Sequence, residues 1–377
     1  MLAFILLAIP IGFLASAPLV WWLVRAGRRR GMLDSAGSEG HAKRLRSVPN
    51  IGGIAIFLAA VLPLAVGVAY LWATISPPED PSVAGAVNLR ILDQAGTWVA
   101  IISSCLVLHV MGLVDDRVAQ PASLKLVLQL LIAGMLVLFF DVRLLHLLDG
   151  FGPLGWIASC TLSILWLVVV TNAFNFLDNM DGLAAGVGTI VALVLMVATL
   201  LNDQYFISIS LALLAGAQLG FLVFNFPPAK IFMGDGGSMV IGWLIAVASV
   251  RITFVDAGDP EYALGTAWYG VFMPLVVLAV PLYDFTSVVV LRSLQGRSPF
   301  VGDQQHFSHR LVGHGLSTRQ AVLVIWAITV ATGVNGLVLG SVTPVLALLL
   351  VAATLVLLAG LALLERGLGP SPEQGDD

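Results

Sequence analysis

The sequence predicts an all-α polytopic integral membrane protein with about eleven transmembrane helices, and three observations carry that prediction. Hydrophobic residues make up 59% of the 377-residue chain and charged residues only 11%. A soluble domain carries about a quarter charged residues, so a soluble globular fold is excluded. The apolar residues come in continuous runs of about twenty, the length that crosses a hydrocarbon core of about 30 Å, rather than the alternating segments of a membrane β-barrel. The basic residues also sort by side: of 18 Lys and Arg, only Arg90, Arg143 and Arg251 fall where the even-numbered helices end.

The first run, 2–24, is followed by Arg25, Arg28, Arg29 and Arg30 and has no basic residue before it. A cleaved signal peptide is charged in the reverse order, so the run reads as a retained helix ending in the cytoplasm. Further spans are expected at 51–75, 97–114, 122–140, 154–172, 183–201, 205–224, 237–255, 266–290, 320–341 and 343–364. The positive-inside rule then puts the N-terminus outside and the C-terminus inside, in the cell inner (plasma) membrane. Residues 1–365 are expected to form one transmembrane domain, and 366–377, polar and rich in Gly and Pro, a disordered cytoplasmic tail. A net charge of −4 suggests no nucleic-acid partner. Cys105 and Cys160 lie in apolar runs without metal-ligand spacing.

With so few charges, polar clusters beside apolar runs need a reason, because a charge at a helix centre costs about 2.5–3.5 kcal/mol. Four clusters fall at the cytoplasmic ends of the third, fifth, seventh and ninth spans, as one active site at the membrane surface requires. GLVDDR ends on Asp115 and Asp116, adjacent carboxylates at a helix C-terminus, where the dipole disfavours them; they call for a cation. Lys125 follows, placed to snorkel toward a phosphate. In TNAFNFLDNMDG, Asn172, Asn175, Asp178 and Asp181 recur every three residues. A step of three turns about 300°, so the first and last would face opposite ways on one helix, and the segment must divide between a helix end and a loop. Oxygens at that density suit a hard divalent cation or a nucleotide. FNFPPAKIFMGDGGS brings Asn225, Lys230, Phe232 and Asp235 beside a glycine-rich helix start that could approach a pyrophosphate. The longest cytoplasmic loop holds Arg292, Arg297, His306, His309 and Arg310, with no third ligand to complete a zinc set; phosphate binding fits better. Taken singly, each cluster is also explained by capping, turns or core packing. His109 and His146 read as structural.

In this order on alternate helix ends, GLVDDR, NAFNFLDNMDG, FPPAKIFMGDGGS and SPFVGDQQHFSHRL resemble the polyprenyl-phosphate N-acetylhexosamine-1-phosphate transferases. RSVPNIGG at 46–53 resembles that family's Pro-x-x-Gly-Gly element, and the resemblance covers about residues 41–320. It implies transfer of a HexNAc-1-phosphate from a UDP-N-acetylhexosamine to undecaprenyl phosphate, releasing UMP, with Mg²⁺ or Mn²⁺ as cofactor. By the same resemblance, Asn175 and Asp235 are metal positions and Asp115 and Asp116 the essential acidic pair. Lys125 contacts phosphates and Phe232 stacks on uracil. Asp178, Asn179, Met180 and Asp181, with Asn225, line the nucleotide site; His306, His309 and Arg310, with Arg297, hold the pyrophosphate. A homodimer in the membrane lipids is compatible with it.

HFSH and an eleventh helix resemble the branch that transfers GlcNAc-1-phosphate for O-antigen, teichoic acid or other surface polysaccharides. That branch often has His-x-His-His, where this chain has Ser308. The nearest rival is the phospho-MurNAc-pentapeptide branch of peptidoglycan synthesis, which carries three consecutive histidines. A transporter or flippase, the rival of a different class, would need charges at mid-bilayer on facing helices; here Asp284, near the cytoplasmic end of its span, is the one carboxylate inside a span.

Overall fold

The computed structural model describes residues 2–30, 48–74, 83–252, 271–296, 298 and 306–367. Within them the chain forms α1 (Leu2–Arg30), α2 (Gly53–Thr74), α3 (Val83–Asp115), α4 (Ala122–Phe140), α5 (Pro153–Leu177), α6 (Leu183–Leu201) and α7 (Tyr205–Asn225). There follow α8 (Asp235–Ile252), α9 (Met273–Val277), α10 (Ala279–Leu294), α11 (Phe307–Gly313), α12 (Thr318–Val338) and α13 (Pro344–Gly367). Ten of the described helices are long and apolar enough to cross a membrane, so the protein is a multi-pass membrane protein.

Eleven spans were expected, and the difference lies in the stretch 266–290. Its described part is two pieces, α9 and α10, interrupted at Leu278. Pro281 has no N–H to give the carbonyl of Val277, so the helical ladder fails there. Two other helices run further than expected. Helix α3 starts at Val83, within the stretch taken for an outer loop. Helix α1 continues to Arg30, which brings its basic residues into the last turns, where the helix dipole favours them. The expected tail beyond Gly367 lies outside the described residues.

Helix α8 stands at the centre. From Gly236 to Val250 it is buried on every side, which explains why its sequence is apolar all round instead of striped. Helices α3 and α5 pack on it, and α7 carries α1, α2 and α6. The α1–α7 crossing is close because of glycine: a Cβ on Gly216 would stand 2.0 Å from the carbonyl oxygen of Ile9. Small residues permit such backbone approach where apolar side chains gain nothing by leaving lipid. At the periphery, α4 and α13 turn Leu131, Phe139, Leu348 and Val356 outward, the apolar surface that lipid covers.

Since consecutive spans alternate in direction, with α9 and α10 together making one crossing, one end of the bundle collects the C-termini of α3, α5, α7 and α10. The N-termini of α2, α4, α6, α8 and α12 meet them there. All four polar clusters fall at this end.

Candidate active site

The site is built around the first turn of α8. The segment before α2 pairs with the segment before α8: Phe232 N–H donates to the Pro49 carbonyl at 2.8 Å. Gly52 and Gly53 N–H donate to the carbonyls of Phe232 and Met233, both at 2.9 Å. A Cβ on Gly53 would meet Gly237 N at 2.4 Å, and one on Gly112 would meet Gly236 N at 2.4 Å. The glycines of Pro-x-x-Gly-Gly and GLVDDR are therefore what let α2 and α3 close on the start of α8. His109 adds a further tie, its Nδ1–H donating to the Gly236 carbonyl at 2.7 Å while its ring stacks on Phe57. It is structural, as expected.

The two adjacent aspartates do different things. Asp116 caps α8: its Oδ1 accepts from Asp235 N–H at 2.9 Å and from the Asn50 amide at 3.2 Å, and its Oδ2 accepts from Gly236 N–H at 3.3 Å. Asp115 points the other way. Its Oδ1 accepts from Gln120 N–H and its Oδ2 from Lys125 Nζ, each at 2.7 Å. Lys125 Nζ also lies 3.4 Å from Asp235 Oδ2, bridging two carboxylates drawn from α3 and α8. Asn175, near the end of α5, donates to Ser238 Oγ at 3.0 Å and approaches the Asp235 carboxylate.

Two carboxylates, Asp115 and Asp235, thus share the Lys125 ammonium, while Asp116 stands against the main chain of Asp235. Burial first, and then the charge of Asp235, push the Asp116 carboxyl up to about 7, against the hydrogen bonds it accepts. Lys125 and Asp235 keep about a quarter of their side-chain surface open, at 23% and 28%, so the cluster is reachable from outside.

The remaining expected residues divide into those facing this cluster and those bracing it. Helix α5 ends at Leu177, as the three-residue spacing requires. Asn172, on its far face, donates to Gln129 of α4 and stands apart from the cluster. Asp178 caps the helix end through its N–H to Asn175 O. Asp181 Oδ2 accepts from Ala229 N–H at 3.0 Å. Asn225, nearly buried, accepts from Gly182 N–H at 2.9 Å and donates to the Ile231 carbonyl at 2.8 Å. Both Asp181 and Asn225 therefore hold the loop after α5 against the loop after α7. Met180 packs on the core. Phe232 is half-buried, with its main chain fixed by the pairing above.

His306 is the N-cap of α11 and lies outside that helix, so it does not share a helical face with His309; the two rings sit 6.5 Å apart. Arg310 donates to Ser287 Oγ on α10 at 3.1 Å. Ser308 donates to the Asn179 amide oxygen, tying α11 to the end of α5. Arg297 lies outside the described residues. Sequence reasoning missed Asn50, whose only signal was its place inside the Pro-x-x-Gly-Gly element.

Comparison with known proteins shows the family. The model of glycosyl transferase family 4 matches residues 98–253, which include α5 to α8 and the Asp115, Asn175 and Asp235 positions. A probable undecaprenyl-phosphate N-acetylglucosaminyl 1-phosphate transferase of Bacillus subtilis is 32% identical over 81% of this chain and 76% of its own length. A decaprenyl-phosphate N-acetylglucosaminephosphotransferase of Mycolicibacterium smegmatis is 33% identical over 86% of this chain and 80% of its own. A phospho-N-acetylmuramoyl-pentapeptide-transferase of Levilactobacillus brevis is 29% identical over 88% and 97%. With relatives this similar over most of both lengths, the chain belongs to glycosyl transferase family 4, among its membrane polyprenyl-phosphate sugar-phosphate transferases.

Proposed function

We propose that this protein transfers N-acetylglucosamine-1-phosphate from UDP-GlcNAc to undecaprenyl phosphate, releasing UMP and starting a lipid-linked surface polysaccharide. The observation that carries the reading is the Asp115–Lys125–Asp235 chain, with Asn175 beside it, at the one end of the bundle where the helix termini meet. In the reaction an oxygen of the lipid phosphate attacks the β-phosphorus of the donor; the bond from that phosphorus to the bridging oxygen breaks, and UMP leaves with the electron pair. Such transfers depend on positioning and charge neutralisation. Lys125 meets the charge of the phosphates, and Asp115 holds Lys125 in place. Asp116 keeps the start of α8 closed on α2 and α3. Phe232 provides an aromatic face for uracil. His306, His309 and Arg310 face the pyrophosphate.

The donor set fits Mg²⁺, or Mn²⁺ in its place. Asp235 and Asn175 offer hard oxygens, and two carboxylates on the single Lys125 ammonium leave room for a further cation. Mg²⁺ commonly takes one or two carboxylates and completes its shell with water and substrate phosphates, which suits a site where, among the described residues, no three His, Cys, Asp or Glu side chains converge. When bound, the ion supplies charge neutralisation on the diphosphate. The basic residues put this end in the cytoplasm of an inner-membrane protein. Cysteines at positions 230 and 147 should then label from opposite faces; labelling from the same face would reject that orientation.

Purified protein in detergent, given undecaprenyl phosphate and Mg²⁺, should release UMP from UDP-GlcNAc and not from UDP-MurNAc-pentapeptide. Release from the pentapeptide donor alone would move the protein to peptidoglycan synthesis. Silence with both would overturn the donor assignment.

A further inference from the structure

Asp284 is 1% exposed, and both hydrogen bonds on its carboxylate come from the histidine segment. His306 Nδ1 lies 2.9 Å from Oδ2, and Phe307 N–H donates to Oδ1 at 2.8 Å. A carboxylate can only accept, so the proton of this bond sits on His306 Nδ1. One turn along α10, Ser287 accepts from Arg310, so the same helix face holds both ends of the first turn of α11. The Phe176 ring, next to Asn175 on α5, fills the remaining side: His306 stands edge-on to it at 6.0 Å and the Arg292 guanidinium lies 5.4 Å from its centroid. Nothing in the reaction as set out above uses Asp284.

We propose that Asp284 is a positioning residue: through Nδ1 it fixes the tautomer and orientation of His306, so that Nε2 is the ring atom presented to the diphosphate of the nucleotide-sugar donor. A hydrogen bond at one imidazole nitrogen decides what the other can do, and carboxylate partners of this kind change function about 10–100-fold when removed from metal-bound histidines. The functional half of this proposal rests on the transferase reading; the location of the ring proton does not.

The test therefore has two readouts. Asp284→Asn retains an oxygen for Phe307 N–H but turns an amide N–H toward the ring, which favours the opposite tautomer. In full-length protein labelled with ¹⁵N-histidine, the signal assigned by its loss in His306→Ala should show Nδ1 protonated in the wild type and the proton moved to Nε2 in Asp284→Asn. An unprotonated Nδ1 in the wild type would overturn the pairing, whether or not the protein is the proposed enzyme. In the UMP-release assay, Asp284→Asn should lower kcat about 10–100-fold with KM for the donor little changed. It should cost nothing further in a His306→Ala background, because the two residues act as one unit. Losses that multiply would show that Asp284 acts independently and overturn the proposal. Should Asp284→Asn fail to fold, Asp284→Glu keeps the acceptor and should keep Nδ1 protonated with most of the rate; loss of either would count against the assignment. A wild type silent with every UDP-sugar removes the transferase reading alone, and the nitrogen signals still decide the pairing.

Discussion

Two charged clusters sit at opposite ends of the bundle, and they are built on opposite principles. At the end away from the site, Arg143 is 5% exposed and pairs in bidentate fashion with Asp149 at 3.0 and 2.9 Å. It also donates to Asp141 and to Ser159, while His146 lies 3.2 Å from Asp141. Ser159 donates to the Leu144 carbonyl and Leu144 N–H to Ser163. Every partner comes from residues 141–163, so the knot closes within one α4–α5 connection. Arg143 holds Asp149 below the usual carboxylate range; burial pushes Asp141 up, but the bonds from His146 and Arg143 outweigh it. At the site end, by contrast, Asp115, Asp116 and Lys125 meet Asp235 from a distant segment, 110 residues beyond Lys125. A cluster closed within one connection holds that connection; one drawn together from distant segments, with its ammonium and a carboxylate left partly open, can take a ligand.

If the contrast is right, removing Asp235 should have the largest effect and it should fall on chemistry alone. Asp235→Asn is expected to lower kcat by about 10³-fold or more, since metal and phosphate charge are then unmet, while Tm moves by no more than about 2 °C. Turnover that survives at ordinary Mg²⁺ would remove Asp235 as a metal ligand. Arg143→Met should show the reverse. It leaves two carboxylates without their partner, although these are 60% and 41% exposed and water compensates much of the loss. A fall of about 3–6 °C in Tm is expected, with kcat and KM unchanged at low temperature. A changed KM would mean that the Arg143 knot communicates with the site.

The same contrast explains how much of the protein was legible in its sequence. The helices were, because a run of about twenty apolar residues has few alternatives in a membrane. So was the end at which the site would form, since charge cannot hide in lipid. Which residues face the ligand was less legible. Asp115 and Asp116 are neighbours in GLVDDR, and only the fold shows one bridged to Lys125 and the other capping α8. Asp181 and Asn225 were expected at the nucleotide site, and only the fold shows that both also brace two loops, a task that amide and carboxylate oxygens serve equally well. The break at Leu278 was signalled by Pro281 but masked by the apolar run around it. Asp284 and His306, 22 residues apart across a polar loop, carry no local sign of their pairing.

The smallest effect concerns pH, and here the two clusters should differ in sign. Asp141 and Asp149, held below the usual range, contribute stability that is present above about pH 4 and lost as pH falls further. Asp116 does the opposite. Its carboxyl titrates near 7 in the fold and at the ordinary 3.8 in an unfolded chain, so the folded state binds the proton more tightly. Its contribution is complete below about pH 4 and is lost as pH rises to about 7, beyond which the curve levels. With divalent cations removed by EDTA, Tm of the wild type should decline by about 3 °C between pH 5 and 7 and then flatten. Asp116→Asn imitates the protonated acid, accepts the Asp235 N–H as before, and should abolish that decline. Mg²⁺ should suppress the decline in the wild type by favouring the ionised cluster. A variant that still loses stability over this interval would place the titrating group elsewhere.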